Sequence, residues 1–243
     1  DLGFVDFDEP AKKFRAHGLL IKDGAKMSKS KGNVINPDAY IKDFGADAFR
    51  MYLMFLGPFE QSGDFRDAGI VGIVRFLERV KKLAEAKGGA LAPDAEVILH
   101  QSIRKISADI DNLHYNTAIS QLMILLGALE GGCAEGHQKI FLKLLAPFAP
   151  FTSEELWRGL GEKSSIHCAA WPEYDEAKTR EARVTIIVQI NGKVRERFEA
   201  DAGTTEEKLK DEALALPKVR EMMADAAPRN VVVVKDRLVN IVL

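Results

Sequence analysis

Lysine and serine crowd the stretch Lys26-Met27-Ser28-Lys29-Ser30-Lys31-Gly32-Asn33, which together with Lys22 sets four ammonium groups and two hydroxyls in one short glycine-flanked loop. A lysine is a flexible point charge, and small side chains let backbone amides come close to an anion, so this composition suits a polyphosphate. A solvated basic turn is the bland alternative for any Lys-Ser-Lys run. Two further cationic sets stand out: Arg75 and Arg79, with Lys81 and Lys82, at helical spacing, and Lys193, Arg195 and Arg197 on a strand-like run. Alternation predicts that the last three share one solvent face, where they could meet phosphates or simply guard a strand edge. Cys133 and Cys168 lie far apart with no Cys/His spacing, so neither a disulfide nor a zinc site is indicated; both are expected to be buried thiols in a reducing compartment. No other metal site is expected. His17 reads as a surface or packing residue and is given no role.

These groups need elements to hold them. An apolar run at residues 18–21 predicts a strand leading into the lysine loop, and Asn36-Pro37-Asp38 predicts the helix start beyond it, with Asn36 as cap and Pro37 at the first helical position. Residues 37–56 are helical with a break near Gly45, and Gly57-Pro58 ends the pattern. Residues 60–67 read as a loop. A helix over 67–87 carries the Arg75/Arg79 stripe opposite an apolar face, and three more helices follow at about 95–113, 116–130 and 136–145. The second of these is apolar almost all round, as a central bundle helix must be, with Met123 as filler. Thr152 and Glu155 have capping-box spacing. A polar run at 173–183 reads as a linker, and then composition shifts: residues 184–190 and 193–199 flank Asn191-Gly192, a strong hairpin signal. Helices at 205–214 and 217–224 and strands at 229–234 and 238–243 complete a ββααββ unit of about sixty residues, within the range that folds alone.

With 243 residues and 47% apolar side chains the chain can bury more than one core. Its formal net charge of −2 gives no global basic field, so nucleic-acid contact would rest on local patches. No apolar run reaches membrane-spanning length and no signal peptide is evident. The chain opens on Asp1 rather than Met, as a fragment or processed product would.

Lys26-Met27-Ser28-Lys29-Ser30, followed by Lys31-Gly32-Asn33, Asn36-Pro37-Asp38 and Gly45-Ala46-Asp47-Ala48-Phe49-Arg50, resembles the second signature of the class I aminoacyl-tRNA synthetases, the KMSKS loop. Met54-Phe55-Leu56-Gly57-Pro58, residues 72–80, Gln189-Ile190-Asn191-Gly192-Lys193-Val194-Arg195 and Leu238-Val239-Asn240-Ile241-Val242 are similar to the bacterial leucyl branch. The resemblance spans the chain. It implies a mainly α multidomain protein with α+β parts: the end of a Rossmann-like catalytic domain (1–66), an antiparallel helical bundle like the anticodon-binding domain (67–172), a linker (173–183) and a small tRNA-binding domain (184–243). It implies ATP, with Mg2+, as substrate, leucine and tRNA(Leu) as partners, and a cytoplasmic setting without membrane attachment. By the same resemblance Lys29 is the catalytic ammonium and Lys26 its helper; Met27, Ser28 and Ser30 complete the ATP-binding loop, and Arg75, Arg79, Lys193, Arg195 and Arg197 meet tRNA. The His-Ile-Gly-His signature, the leucine pocket and the editing domain of that branch are absent from this sequence, so a missing N-terminal half is expected in the same chain or a second subunit. A stand-alone tRNA-binding module and an isoleucyl- or valyl-type paralogue are the alternatives.

Overall fold

The computed structural model of the chain describes all residues except Asp1, Asp23, Lys87, 180–182 and 224–226. It divides into two compact units, Asp1–Asp175 and Glu176–Leu243.

In the first unit, β1 (Leu20–Lys22) and β2 (Ala25–Lys26) form a small hairpin below the lysine loop. Helix α1 (Pro37–Phe44) starts as expected: the Asn36 side chain accepts the Asp38 N–H, and Pro37 sits where its missing N–H costs nothing. Gly45, at φ 86°, separates it from α2 (Ala46–Phe55). Next comes β3 (Gly63–Phe65), inside the stretch expected to be loop; it pairs in parallel with β1, Leu20 opposite Gly63 and Lys22 opposite Phe65. A Gly-Asp-Phe triplet has no β-periodicity to read, and only its distant partner makes it a strand.

The bundle then runs through α3 (Ile70–Glu85), α4 (Pro93–Asp111), α5 (Tyr115–Leu129), α6 (Glu135–Leu145) and α7 (Pro150–Gly159). The expected end of α3 at residue 87 lies outside the described residues. Helix α5 is central, touching α2, α3, α4 and α6, although Ile124 is 55% exposed, so its apolar circumference is not wholly buried. One hydrophobic cluster runs from Ala48 to Ile166, and Met27 and Ile35 beside the lysine loop pack against it. The capping box expected at Thr152 is not what starts α7. The helix begins at Pro150, and its free amides at Phe151 and Thr152 are taken by the carboxylate of buried Asp47 on α2, at 3.4 and 2.6 Å. Pro150 sets the start three residues earlier than a Thr152 cap would, and the acceptor comes from a remote helix.

In the second unit, β4 (Arg183–Ile190) and β5 (Lys193–Asp201) make the expected hairpin, with Asn191 at φ 50° and Gly192 at φ 76° as an Asn-Gly turn requires. Helices α8 (Glu206–Ala215) and α9 (Pro217–Met223) lead to β6 (Asn230–Val234) and β7 (Leu238–Val242). Thr205 caps α8 by accepting the Lys208 N–H; the expected continuation of α9 to 224 lies outside the described residues, as does 180–182 of the expected linker. The sheet order is β5-β4-β7-β6, with β4 and β7 parallel at its centre. Asn191 accepts the Leu243 N–H and Asn240 accepts the Gly192 N–H, tying the hairpin tip to the last strand. This unit has its own core, around Ile186, Val188, Leu209, Val219, Val239 and Ile241.

Candidate functional site

The lysine loop stands on a fixed stem. Beyond the β1–β3 pairing, the Gly18 amide donates to Phe59 and the Gly63 amide to Leu19, while the amide of Gly24, in the β1–β2 turn, donates to Asp64 at 3.0 Å. Asp67 accepts from the Tyr40 hydroxyl and faces Lys22 at 3.7 Å. Lys22 therefore belongs to the stem rather than to the exposed lysines of the loop above it. Phe65 is fully buried between Tyr40 and Tyr52, its ring centroid 5.1 and 5.0 Å from theirs. The Tyr52 hydroxyl donates to the Arg66 carbonyl and accepts its amide, and burial holds this phenol above its ordinary pKa. Strand β3 is thereby fastened to both α1 and α2.

Above the stem, Met27 turns inward and the chain winds through a 3-10 turn at Lys29–Lys31 closed by Gly32 at φ 66°. Lys26, Lys29 and Lys31 are exposed. The Ser28 and Ser30 hydroxyls bond to each other at 2.8 Å. Asn33 closes the base: its Oδ1 accepts the Ser28 N–H at 2.8 Å and its Nδ2 donates to the Lys26 carbonyl at 3.2 Å. The structure thus brings together the five expected loop residues, with cationic tips outward and an apolar anchor within.

The arginines are arranged differently. Arg75 and Arg79 lie one turn apart on the exposed side of α3, but Arg79 makes a two-pronged ion pair with Glu130 at 2.8 and 2.6 Å. That bond raises the guanidinium's pKa and lowers the carboxyl's. On β5 a bulge overturns the expected shared face. Val188 pairs with Glu196 but Gln189 pairs with Val194, leaving Arg195 as the extra residue. Arg197, opposite Ile187, then lies on the other face of the sheet from Lys193, opposite the core residue Ile190.

His17 stacks edge-on against Phe59 and bonds its neighbour's carbonyl, a packing role. Cys133 is buried, which pushes its thiol up, but Cys168 is exposed, contrary to expectation: the short turn it occupies buries Ile166 instead. Among the described residues no group of three or more His, Cys, Asp or Glu side chains gathers to hold a metal ion. The stem residues Asp64 and Asp67 carry no role in the sequence reading, and Asn33, though part of the loop signature, is given none either. Their only signal was polar side chains near tight turns.

Residues 6–76 match the family described as tRNA synthetases class I (M), and residues 137–210 match the anticodon-binding domain of tRNA ligase. These matches support a class I tRNA synthetase fold. Within that class the chain is 40% identical over 258 aligned residues to leucine–tRNA ligase of Dehalococcoides mccartyi (strain 195), and 39% identical over 259 to that of Rubrobacter xylanophilus. Both alignments take in 100% of this chain, but 32% and 31% of the relatives. The crystal structure of the ternary complex of Agrobacterium radiobacter K84 agnB2 LeuRS, tRNA and LeuAMS is similar at a TM-score of 0.79 and 32% identity, over 99% of this chain and 34% of that one. The chain is a homologue of leucine–tRNA ligases and spans about a third of the length of the curated relatives it matches. These relatives favour the leucyl reading over an isoleucyl or valyl one.

Proposed function

We propose that this chain is the C-terminal third of a leucine–tRNA ligase, supplying the phosphate-facing loop and much of the tRNA-binding surface. The enzyme joins leucine to ATP as leucyl-adenylate and passes leucine to tRNA(Leu) in the cytoplasm. One observation carries the reading: 40% identity to leucine–tRNA ligase along the whole of a chain in which the loop signature is intact.

In this reading the leucine carboxylate attacks the α-phosphate and pyrophosphate leaves. Lys29 places its ammonium where negative charge builds on the α-phosphate and the departing pyrophosphate, and Lys26 assists. Met27, seated on the core, fixes the loop at one point, while the turn from Ser28 to Gly32 keeps the freedom to close over ATP. Ser28 and Ser30 exchange their mutual hydrogen bond for phosphate oxygens. The lysines suit the phosphates of ATP; the described residues offer no ligand set for Mg2+, which would arrive on the nucleotide. Residues 1–66 act as the end of the catalytic domain, 67–172 as the bundle that props the tRNA, and 184–243 as the terminal tRNA-binding domain. Arg75 meets tRNA phosphates from the bundle, with Arg79 shared with Glu130, and in the terminal domain the β5 cation on one face of the sheet does so. No helix among the described residues is long and apolar enough to cross a membrane.

The test uses the 243-residue chain as it is. It should bind tRNA(Leu) and show no leucine-dependent pyrophosphate exchange, since half the ATP site and the leucine pocket are lacking. Leucine-specific exchange by this chain alone would refute the division of labour, and failure to bind tRNA would refute its tRNA-facing role.

A further inference from the structure

The lysine loop is closed by a residue that carries no charge. Asn33 spans the base of the loop with both ends of one amide: its oxygen accepts from the Ser28 backbone at 2.8 Å and its nitrogen donates to the Lys26 carbonyl at 3.2 Å. Lys26 and Ser28 flank Met27, the residue seated on the core. The amide therefore grips the chain on both sides of its anchor point and leaves only the Ser28-to-Gly32 turn above the grip. Gly32 in the left-handed region brings residue 33 back under residue 28, so the geometry depends on Asn33 being where it is. No other standard side chain of this length presents an acceptor and an uncharged donor in one rigid plane; aspartate keeps the acceptor alone and would add negative charge beside the lysines.

From this geometry we infer that Asn33 is a positioning residue for phosphate chemistry: it holds Lys26 and the turn carrying Lys29 in register with each other, without itself touching the nucleotide. The inference rests on the reading of this loop as the ATP-facing loop of a leucine–tRNA ligase. Positioning by a rigid support matters here because a cation on a flexible stem loses much of its effect when its backbone wanders by about an ångström.

Two measurements separate the inference from that reading. In the 243-residue chain, amide hydrogen exchange at Ser28 reports the grip directly, with no activity required. Asn33→Ala should speed exchange at Ser28 about tenfold and leave the thermal midpoint unchanged, since Asn33 belongs to neither hydrophobic cluster. In the complete ligase, Asn33→Ala should lower kcat for leucine-dependent pyrophosphate exchange about tenfold, with the KM for leucine within twofold of wild type. An unchanged Ser28 amide, or a faster amide with unchanged kcat, overturns the inference. A wild-type ligase without leucine-dependent exchange overturns the functional reading instead, while the Ser28 result stands. Should Asn33→Ala fail to fold, Asn33→Asp decides: it should keep the slow Ser28 amide through its remaining oxygen and still lose kcat, and a fast amide in that variant overturns the inference.

Discussion

Asp47 shows how a single buried side chain can join two elements that sequence keeps apart. It is 6% exposed, sits in the first turn of α2 beyond the loop and helix α1, and accepts the amides of Phe151 and Thr152 at the start of α7. Removing a helix cap and leaving part-buried amides without an acceptor costs about 1–3 kcal/mol. Asp47→Ala should therefore lower the unfolding free energy of the first unit by that order in urea titrations, and Asp47→Asn, which keeps one acceptor, by less; no loss in either would mean that solvent replaces the carboxylate. Thr152 and Glu155 had the right spacing for a capping box, and that local signal was wrong because Pro150 set the helix start and a residue 105 positions upstream supplied the oxygen. The lysine loop was legible for the opposite reason: its chemistry is concentrated in consecutive residues. What sequence could not show was that Lys22 faces Asp67 and that Asn33 closes the loop, since both depend on where the chain returns.

Elements with strong periodicity or turn chemistry were readable within a few residues, as α4, α5 and the β4–β5 hairpin illustrate. Short strands were not. Strand β3 exists because β1 lies beside it, and Gly18 lets the two approaches come together: a Cβ built there would fall 1.8 Å from the Gln61 carbonyl oxygen. Backbone cannot yield as a side-chain tip can, so Gly18→Ala should destabilise the first unit by about 1–3 kcal/mol and loosen the stem under the loop. Thermal unfolding, with amide exchange across residues 20–26, checks both parts, and a variant as stable and as protected as wild type would show that the β1–β3 pairing is not fixed by this approach. At the far end of the bundle Glu154 accepts the Ile166 amide at 2.8 Å and the Ser165 hydroxyl at 3.0 Å, and pairs with Arg158. The Ile166 bond first, and Arg158 next, hold its carboxyl below the usual carboxylate range. A depressed folded pKa contributes stability that is complete above the ordinary carboxylate pKa and disappears as pH falls through the folded value. Glu154→Gln should thus be less stable than wild type near neutrality and converge with it in acid, as urea unfolding at a series of pH values would reveal; a gap constant with pH would assign the effect to packing.

On the scale of the whole molecule, two separately cored units bear different shares of the proposed work, and the β5 bulge changes what the second can do. With Lys193 and Arg197 on opposite faces, one flat nucleic-acid surface engages one of them. If the outer face meets tRNA, Arg197→Ala should flatten the dependence of log affinity on log salt by about 0.9, and Lys193→Ala should leave it unchanged. Equal slopes lost from both would mean that the sheet edge, rather than a face, is the contact. Alternation alone had put all three cations together, and a one-residue insertion in the register undid it. The central claim, that the exposed lysines on the anchored stem perform phosphate chemistry for leucine activation, is tested most directly in the complete ligase containing this chain. There, pyrophosphate exchange should depend on leucine and not on isoleucine or valine, and Lys29→Ala should depress it by about a hundred- to a thousandfold while tRNA(Leu) affinity stays as in wild type. Exchange unaffected by Lys29→Ala, or lost in equal measure with tRNA binding, would contradict it.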